Sequence, residues 1–511
     1  MKLRLSLAIA FASGFLALSY EILWYRVIAF MTRGIAASFG LLLAAYLGGL
    51  ALGSWGSRLF CRDAGAAGSR AALLPLGAFV GLANVASAAV IPTFAWSAGR
   101  TDFRAGLGMV AVGAGLLGAV LPLTAHFGIE PDHRAGARLS YVYLANILGS
   151  ALGSVVTGFV LLDAFALQAI ARGLAWAGFG LSAALIAASG AARPRLAAAF
   201  AALSLLVTGT AWALPRGFDR VYERLLYKYE YEGQRFSQVI ETRSGVITVT
   251  DDGTVYGGGA YDGVVSTSIH RDRNGIVRAL ALGALHGAPR EVLMIGLSSG
   301  SWAQIVAHLP GVERLTVVEI NPGYAQLVAA HPEVRGLLSN PKVTLVFDDG
   351  RRWLLRHPER RFDLVVMNTT WHWRAHITNL LSRELMESIR QHLLPAGLFY
   401  FNTTWSEDVL KTAATTFPHA LRVNNFVAVS DAPISFDRAR WRASLEALRV
   451  EGRPLLELDR EEDRRLLESL LAYGDLEGRE ALLARTSRAA VVTDDNMVPE
   501  LREPLRYPQK K

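Results

Sequence analysis

The chain has 511 residues, which is too long for one ordinary domain, and its hydrophobic fraction of 52% is too high for a wholly soluble protein. The formal net charge is +8, but the basic residues form no dense run or aromatic-interleaved stripe, so nucleic-acid binding is not expected. Cys61 is the only cysteine, which excludes an intrachain disulfide and any multi-cysteine metal site.

The first 215 residues contain apolar stretches long enough to cross a hydrocarbon core of about 30 Å. Charged residues are sparse there, whereas they recur every few positions beyond Pro215. The first stretch follows Lys2 and Arg4 but has no small-residue cleavage pattern after it, so we expect it to be retained rather than removed as a signal peptide. The sequence predicts a multi-pass bundle of seven helices, over residues 5–31, 35–57, 72–96, 105–127, 140–162, 165–189 and 196–214.

Small residues are concentrated in two of these stretches, from Tyr46 to Gly53 and from Asn146 to Gly153. Small side chains allow helix backbones to approach closely, so helix packing is the simplest interpretation. Glu21, in the first predicted helix, is either paired with Arg26 at the interface or a functional group that faces a cavity. Both interpretations of Glu21 remain open.

From about Arg235 the pattern changes to short runs of β-branched residues. Ser237–Thr242, Gly245–Thr250 and Asp251–Tyr256 alternate in polarity and are joined by turn residues, which predicts a small antiparallel sheet. Beyond about Asp437 the chain is charged and leucine-periodic, which predicts amphipathic helices packed on the main sheet or on the bundle. We therefore expect a bundle over 1–215, a linker and small β-sheet over 216–290, an α/β domain over 291–436 and a charged helical extension over 437–511.

The α/β region begins with a strand that turns through glycines into a helix. Glu291–Gly296 is followed by Leu-Ser-Ser-Gly300 and a helix near Trp302, an arrangement that brings backbone N–H groups and a helix terminus to a nucleotide. The next strand ends about twenty residues later in Glu319, the spacing at which a carboxylate accepts the ribose hydroxyls. The third glycine of the pyrophosphate fingerprint is missing, which favours an adenosine thioether over a dinucleotide.

Two further predicted strands also end in polar residues, at Asp348-Asp349 and at Asn368. Ligands of open α/β sheets bind beyond the carboxyl ends of the strands, so these ends are expected to form one nucleoside site. The sequence therefore predicts a Rossmann-type domain that contacts its ligand through Gly296, Ser298, Gly300, Glu319, Asp348 and Asp349.

Together these motifs resemble the spermidine synthases, in the membrane-fused form in which a helical bundle precedes the synthase domain. Val318-Glu319-Ile-Asn-Pro322 is similar to the family's ribose-binding segment, and Asp349-Gly350-Arg351 to the segment that contacts adenine. Val492-Thr-Asp494-Asp495-Asn496 resembles a segment near the end of membrane-fused members, and Gln238 stands where the family's β-hairpin glutamine contacts the ligand. The resemblance implies transfer of an aminopropyl group from decarboxylated S-adenosylmethionine to an amine.

The sequence departs from this family where the chemistry occurs. Aminopropyl transfer needs a carboxylate beside the attacking nitrogen, because a polyamine is protonated at neutral pH. The family supplies an aspartate at the end of the fourth strand, where this chain has Asn368, and the loop from Thr369 to His376 contains no acid. Arg374 in that loop is poorly matched to a cationic diamine. A second Asn-Thr-Thr-Trp, from Asn402 to Trp405, is expected to line the same cleft.

Two histidines of this loop, His372 and His376, are candidates to replace the missing base, since imidazole titrates near neutrality. Ordinary hydrogen bonding in the loop is the alternative. Their i, i+4 spacing suggests a metal, but no third ligand is near in sequence, so no metal is expected. We expect a wall of aromatic and cationic side chains over the ligand, with core packing as the alternative for the aromatic ones, and substrate contacts from Thr369, Trp371, Trp373 and Arg374.

The sequence thus predicts a membrane-anchored transferase that binds decarboxylated S-adenosylmethionine or S-adenosylmethionine and acts on a small-molecule amine or another acceptor. Two alternatives stay open. One is a non-catalytic nucleoside-binding sensor, suggested by Asn368, and the other is a transporter with a regulatory synthase-like domain, suggested by Glu21. The expected partner is the lipid bilayer, and a homo-oligomer is compatible with the sequence.

Charge in the loops bears on orientation. Basic residues are more frequent at the amino terminus and in the second, fourth and sixth loops than in the alternate loops, which places the amino terminus in the cytoplasm. Seven helices would then place the α/β domain outside, away from the adenosine-type metabolites made in the cytoplasm. We therefore expect the helix count to be wrong by one, with the α/β domain on the cytoplasmic side of the cell (inner) membrane.

Overall fold

The structure is a computed structural model, and it describes residues 3–61, 72–99, 104–368 and 371–502. The chain divides into two compact units. The helical unit comprises Met1–Thr32, Ala37–Arg235 and Glu241–Arg243. The sheet unit comprises Arg33–Ala36, Phe236–Ile240 and Ser244–Lys511, so a short segment between the first two long helices belongs to it.

The helical unit contains the long apolar helices. Within the described residues, seven helices are long and apolar enough to cross a membrane, which is the number of apolar stretches found in the sequence. Whether the number of membrane crossings differs from this by one stays a prediction. The last of them ends at Phe218, slightly beyond the predicted boundary at residue 215. The helices are α1 (Leu3–Met31), α2 (Ala37–Gly56), α3 (Leu73–Ala98), α4 (Arg104–Gly128), α5 (Ala135–Val156), α6 (Leu162–Ala164), α7 (Leu167–Ala188), α8 (Arg193–Phe218) and α9 (Val221–Tyr227), with a π-helical turn at Thr157–Leu161 between α5 and α6.

Glycines set the closest helix contacts of this unit. A Cβ built on Gly149 of α5 would overlap the carbonyl oxygen of Phe11 in α1, and one built on Gly53 of α2 would overlap that of Gly115 in α4. No side chain larger than hydrogen fits at such positions, so glycine there allows the two helix backbones to come into contact. This confirms helix packing as the role of both small-residue stretches.

A buried polar cluster lies within the helical unit. The backbone N–H of Leu167, at the start of α7, donates to Glu241 at 2.8 Å. Arg26, the residue considered as a partner of Glu21, lies with Tyr222 beside this carboxylate. Burial raises the pKa of Glu241, while the helix-start N–H and Arg26 stabilise its charged form.

The small sheet of the sheet unit is antiparallel, with strand order β1-β2-β3-β4. Three of its strands were predicted. The fourth was missed because Gly259 directly precedes it and Gly263 lies within it, and glycines weaken the strand pattern. The strands are β1 (Phe236–Thr242), β2 (Gly245–Thr250), β3 (Thr254–Gly257) and β4 (Ala260–Val264).

The main sheet has eight strands within the described residues, in the order β14-β10-β11-β9-β8-β5-β6-β7. Strands β9, β8, β5, β6 and β7 are parallel, and β11, β10 and β14 add to them with antiparallel pairing. This is the doubly wound Rossmann-type arrangement that the sequence predicted, and its topological switch point lies between β5 and β8.

Four of the eight strands, β5, β6, β7 and β8, match the four runs predicted from Glu291 onward. In chain order the elements are α10 (Val277–Leu280), α11 (Leu282–Leu285), β5 (Glu291–Ile295), α12 (Ser301–His308), β6 (Arg314–Glu319), α13 (Gly323–Ala330), β7 (Val343–Phe347), α14 (Gly350–Arg356), β8 (Phe362–Met367), α15 (Thr378–Leu381), α16 (Arg383–Gln391), β9 (Leu393–Asn402), α17 (Glu407–Thr416), β10 (His419–Val423), β11 (Phe426–Ser430), α18 (Arg438–Ala447), β12 (Arg449–Val450), β13 (Arg453–Pro454), α19 (Glu461–Leu471), β14 (Leu476–Gly478), α20 (Arg479–Arg485) and α21 (Val498–Arg502).

Residues 437–511 are more than the predicted helical extension. They supply β14 at the edge of the main sheet, next to β10. Trp441 and Leu467 of the leucine-periodic region are buried in the same core cluster as Val292 and Met294 of β5, so these helices pack on the sheet. Leu293 points to the opposite core cluster, as the alternation of side chains along a strand requires.

We predict that Gly149→Ala destabilises the helical unit, because its new methyl group would overlap the backbone of α1. The expected loss is about 1–3 kcal/mol. Gly173→Ala in α7 is the matched control, because a Cβ there meets open space, and replacing a helical glycine by alanine stabilises by up to about 1 kcal/mol. Measured by thermal unfolding in detergent, the unfolding midpoint should fall for Gly149→Ala and not for Gly173→Ala. Equal midpoints for the two variants would contradict glycine-mediated packing.

Candidate functional site

The carboxyl ends of β5, β6, β7 and β8 meet at a cavity of about 260 Å³ in the sheet unit, the first cavity. This is the switch point at which ligands of doubly wound sheets bind. The small sheet closes it from the other side. Its wall is formed by Ser244, Gly245, Gly257, Gly258, Asp262, Ile295, Gly296, Ser298, Val318, Glu319, Ile320, Asn321, Tyr324, Asp349, Gly350, Met367, Asn368, Arg374, Ile377 and Leu380.

Glu319 is the buried carboxylate of the first cavity. Its Oε2 accepts a hydrogen bond from the N–H of Leu297 at 2.7 Å, and its Oε1 accepts one from the N–H of Asn321 at 2.8 Å. Burial nevertheless raises the pKa of Glu319 to about 7, with these N–H groups opposing the shift. The N–H of Ile320 also stabilises the charged carboxylate. A carboxylate offers about four acceptor positions, so these N–H groups leave room for a ribose hydroxyl.

The glycine-containing turn after β5 forms one edge of the first cavity. Gly296 has φ +93°, and a Cβ built on it would meet no atom within 4 Å, so its open side faces the cavity. Ser298 also lines the cavity, and its hydroxyl donates to the carbonyl oxygen of Asp262. Gly300 does not line it. A Cβ there would lie 2.7 Å from Val328, so Gly300 is needed for the turn and its packing rather than for ligand contact.

Three of the predicted nucleoside contacts need correction or refinement. Asp349 lines the first cavity and caps α14, accepting from the N–H of Arg352 at 2.8 Å. Asp348 does not line it, because its side chain pairs with Arg352 and Arg356. Gln238 lies in β1 and lines neither of the two cavities described here, since the wall from the small sheet comes from β2, β3 and β4.

A second cavity, of about 340 Å³, adjoins the first and shares Asp262 and Asn368 with it. Asn402, Thr404 and Trp405 line it, which confirms that the second Asn-Thr-Thr-Trp faces the same cleft. The full lining is Tyr261, Asp262, Gly263, Asn274, Arg278, Asn368, Trp371, Asn402, Thr404, Trp405 and Asn425.

Side-chain amides form a directional chain along the second cavity. The backbone N–H of Thr404 donates to Oδ1 of Asn402 at 2.8 Å, which fixes the orientation of that amide. Nδ2 of Asn425 donates to the same oxygen at 2.8 Å, and Nδ2 of Asn402 donates to Oδ1 of Asn368 at 3.1 Å. Arg278 donates to Oδ1 of Asn425 at the far end. Asn368 therefore presents its Nδ2, a hydrogen-bond donor, at the junction of the two cavities.

Asp262 supplies a carboxyl group at that junction. The hydroxyl of Tyr324 donates to its Oδ2. Burial raises the pKa of Asp262 to about 6, while Tyr324 and the nearby Arg374 favour the charged form. A carboxylate of this kind is mostly ionised at neutral pH and can accept a proton.

Only some residues of the loop after β8 line the two cavities. The predicted contact Thr369 lies outside the described residues. Trp371 lines the second cavity and stacks on Trp373, which lines an adjoining groove. The groove shares Trp371, Thr404 and Trp405 with the second cavity. His372 lies in that groove too, with Nδ1 2.7 Å from the Thr404 hydroxyl. His376 is exposed and lines neither cavity. Neither histidine is therefore placed as the replacement base.

The carboxyl-terminal segment braces this region. Glu500 is buried and accepts from the backbone N–H groups of His376 and Thr378, both at 2.9 Å. Asp494 forms a two-pronged ion pair with Arg351, next to the cavity residue Gly350. The segment that resembles the end of membrane-fused members thus holds the cavity loops in place.

Sequence reasoning missed Asp262, Tyr324, Arg278 and Asn425. Asp262 lies between glycines in the strand that was not recognised, and Arg278 lies on a short helix with no motif around it. Asn425 follows another asparagine in the turn between β10 and β11, where it looks like an ordinary turn residue. Only the three-dimensional fold brings these four side chains to the cavities.

Residues 279–420 match the family described as spermine/spermidine synthase domain. A polyamine aminopropyltransferase from Desulforudis audaxviator is 31% identical over 172 residues, which cover 31% of this chain and 60% of that protein, less than two thirds of its length. Polyamine aminopropyltransferases from Mycobacterium tuberculosis and Ralstonia nicotianae are 26% and 28% identical over 419 and 423 residues; these alignments cover 77% and 76% of this chain and 76% of each protein.

Alignments of this length extend into the helical unit, because the chain from Ser244 to its end is shorter than 419 residues. A solved spermidine synthase from Thermotoga maritima is also similar, with 16% identity and a TM-score of 0.32, and the match covers 48% of this chain and 84% of that chain.

We predict that the affinity for adenosine rises with pH through about 7. The ribose hydroxyls donate to the ionised form of Glu319, so protonation of this carboxyl below its pKa weakens binding. Glu319→Gln should weaken adenosine binding about ten- to hundredfold and remove this pH dependence, as measured by titration calorimetry. Glu313→Gln, which changes an exposed carboxyl paired with Arg290, is the control. Unchanged affinity in Glu319→Gln would contradict ribose binding at this residue.

Proposed function

We propose that the chain is a polyamine aminopropyltransferase-like transferase of the spermidine synthase-like family. In this proposal the first cavity binds an S-adenosylmethionine derivative and the second binds the acceptor. One observation carries it: the two cavities meet at Asp262 and Asn368, so a group bound through its nucleoside in one would end beside a molecule in the other.

The reaction is a displacement at the carbon next to the sulfonium, which requires alignment of the two reactants and a base for the acceptor. Asn368 cannot accept the proton, and its Nδ2 acts instead as a donor that orients the acceptor. We assign the base role to Asp262, because Tyr324 holds Oδ2 and the carboxylate also lines the acceptor's cavity. The acceptor leaves its proton there as the bond to carbon forms and the thioether departs.

The second cavity favours an acceptor that offers hydrogen-bond acceptors as well as its nucleophile. Arg278 and the amide chain ending at Asn368 present donors to it, and Asp262 is the carboxyl group in its wall. Tyr261, Trp371 and Trp405 add aromatic surface. A polycation would find a guanidinium and amide donors along most of this wall, so a simple diamine is a poorer match than a partly neutral amine.

A nucleoside-binding sensor is the second candidate function. Asn368 favours it, because a donor amide stands where the transfer reaction is expected to have a base. The two functions differ in turnover: a sensor binds the nucleoside and releases it unchanged, whereas a transferase converts the donor into its thioether product.

We also propose that the helical unit is embedded in a membrane. Seven helices have the required length and apolarity, and only 6% of the apolar stretch of α8 is buried within the protein. Large apolar side chains such as Leu52, Phe159 and Leu205 are more than half exposed, as side chains that face lipid are. The cytoplasmic side for the sheet unit stays a prediction.

Asp262→Asn should lose turnover by about 10²–10⁴-fold while it still binds methylthioadenosine, because the variant keeps the nucleoside site and loses the base. In the unaltered protein the rate should rise with pH through about 6, where Asp262 ionises, and then level off. Conversion of either S-adenosylmethionine or its decarboxylated form is measured by chromatography, with putrescine and with the small-molecule fraction of a cell extract as acceptors.

Asp431→Asn is the matched control, because this exposed acid pairs with Arg390 and lines neither cavity. Full activity of Asp262→Asn would contradict the assigned base. Binding of methylthioadenosine without conversion of any donor would favour the sensor.

Membrane insertion predicts that the full-length protein stays in the pellet when cell membranes are washed with alkaline carbonate, and dissolves only when detergent is added. The reason is that, within the described residues, only 6% of the apolar stretch of α8 is buried, and lipid or detergent would cover the rest. Release by carbonate alone would show that the helical unit is peripheral.

A further inference from the structure

Arg374 introduces a cation into the wall of the first cavity, the cavity assigned to the donor. Its guanidinium occupies a space kept open by two glycines. A Cβ built on Gly258 would lie 2.8 Å from Nη2 of Arg374, and one built on Gly34 would lie 3.2 Å from Nε and from Nη2. Both glycines have positive φ, which places these backbone positions in the region that favours glycine.

The backbone of Arg374 is fixed as well as its side chain. It pairs with Ile35 as an isolated antiparallel bridge, and the N–H of Ala375 donates to the carbonyl oxygen of Gly34 at 2.8 Å. Gly34 and Ile35 belong to the sheet unit although they lie between α1 and α2 in the chain. The backbone position that carries the guanidinium is therefore fixed by pairing with the Gly34–Ile35 segment.

Charges around Arg374 are of both signs. Burial lowers the pKa of the Arg374 guanidinium, and Asp262 and Tyr324 oppose this by stabilising the charged form. Asp262 also lines the first cavity, so the wall combines a guanidinium with a carboxylate in one region. This pair matches a zwitterion, with a carboxylate for the guanidinium and an ammonium for the carboxylate.

The two donors considered for this cavity differ in one group, the α-carboxylate. S-Adenosylmethionine ends in an α-ammonium and an α-carboxylate, whereas its decarboxylated form ends in an ammonium alone. The ammonium of the decarboxylated form would bring a positive charge towards Arg374, and that donor carries no negative charge in its tail to offset the repulsion. A carboxylate delivered by the donor would instead add a counter-charge and a two-pronged hydrogen bond to a guanidinium in a partly desolvated wall.

We propose that the first cavity selects the donor that keeps its carboxylate, S-adenosylmethionine, with Arg374 binding that carboxylate. This rests on the proposed function, since it assumes that the first cavity holds the donor. It departs from the aminopropyl chemistry that the resemblance implies, and it makes Arg374 the specificity-determining residue of the donor site.

The test is calorimetric titration of the full-length protein in detergent with S-adenosylmethionine, its decarboxylated form and methylthioadenosine, which lacks the charged tail. S-Adenosylmethionine should bind about tenfold or more tightly than the decarboxylated form. Arg374→Gln should remove that preference and keep methylthioadenosine binding, which shows that the variant is folded. Arg374→Lys keeps the charge but not the fork of donors, so it should retain only part of the preference.

Equal or tighter binding of the decarboxylated donor to the unaltered protein would overturn the proposal and leave the proposed function standing. A preference for S-adenosylmethionine that survives in Arg374→Gln would overturn the role of Arg374. Failure of all three ligands to bind the unaltered protein would remove the donor site itself, and with it the proposed function.

Discussion

The site depends on one costly arrangement, a carboxylate buried at the end of β6 with backbone N–H groups as its partners. Glu319 is held by the N–H groups of Leu297 and Asn321, and so it links the turn after β5 to the turn after β6. Burying a carboxylate without a cation opposes folding, and the raised pKa expresses that cost. A ligand with two hydroxyls would supply the missing donors, which is why this residue points to a ribose more strongly than the glycines do.

The same cavity wall carries the chemistry in a rearranged form. The end of β8 offers Asn368, whose Oδ1 is occupied by Asn402, so this position donates a hydrogen bond and cannot accept a proton. A carboxyl group is nevertheless present, because β4 brings Asp262 to the junction of the two cavities. Asp262 supplies a base to this wall, and Arg374 supplies a cation that selects the donor. Neither residue stands at the position that the resemblance to the spermidine synthases implies for the catalytic aspartate.

The fold was predictable where local pattern decides it. The strands from Glu291 to Met367 are continuous apolar runs ended by polar residues, and parallel pairing places those ends at one edge. Strand β14 was not predictable, because three residues carry no periodicity and its place at the edge of the sheet is set by tertiary packing. Asn368, Glu319 and Asp349 were found because each lies within two residues of the end of a predicted strand. Asp262 instead reaches the site through a glycine-rich hairpin.

The errors have physical causes as well. Asp348 was grouped with Asp349, but only the second of two successive side chains faces the cavity, and the first turns to the arginines of α14. His372 and His376 were chosen for their chemistry, yet the path of the loop aims one at Thr404 and leaves the other exposed.

The central claim is that the first cavity binds the nucleoside part of a donor whose tail ends at Asp262 and Asn368. A structure of the full-length protein with methylthioadenosine bound tests it most directly. The account predicts ribose hydroxyls within hydrogen-bond distance of both Glu319 oxygens and the thioether sulfur facing the junction of the two cavities. A ligand bound elsewhere, or one whose ribose makes no contact with Glu319, would contradict it.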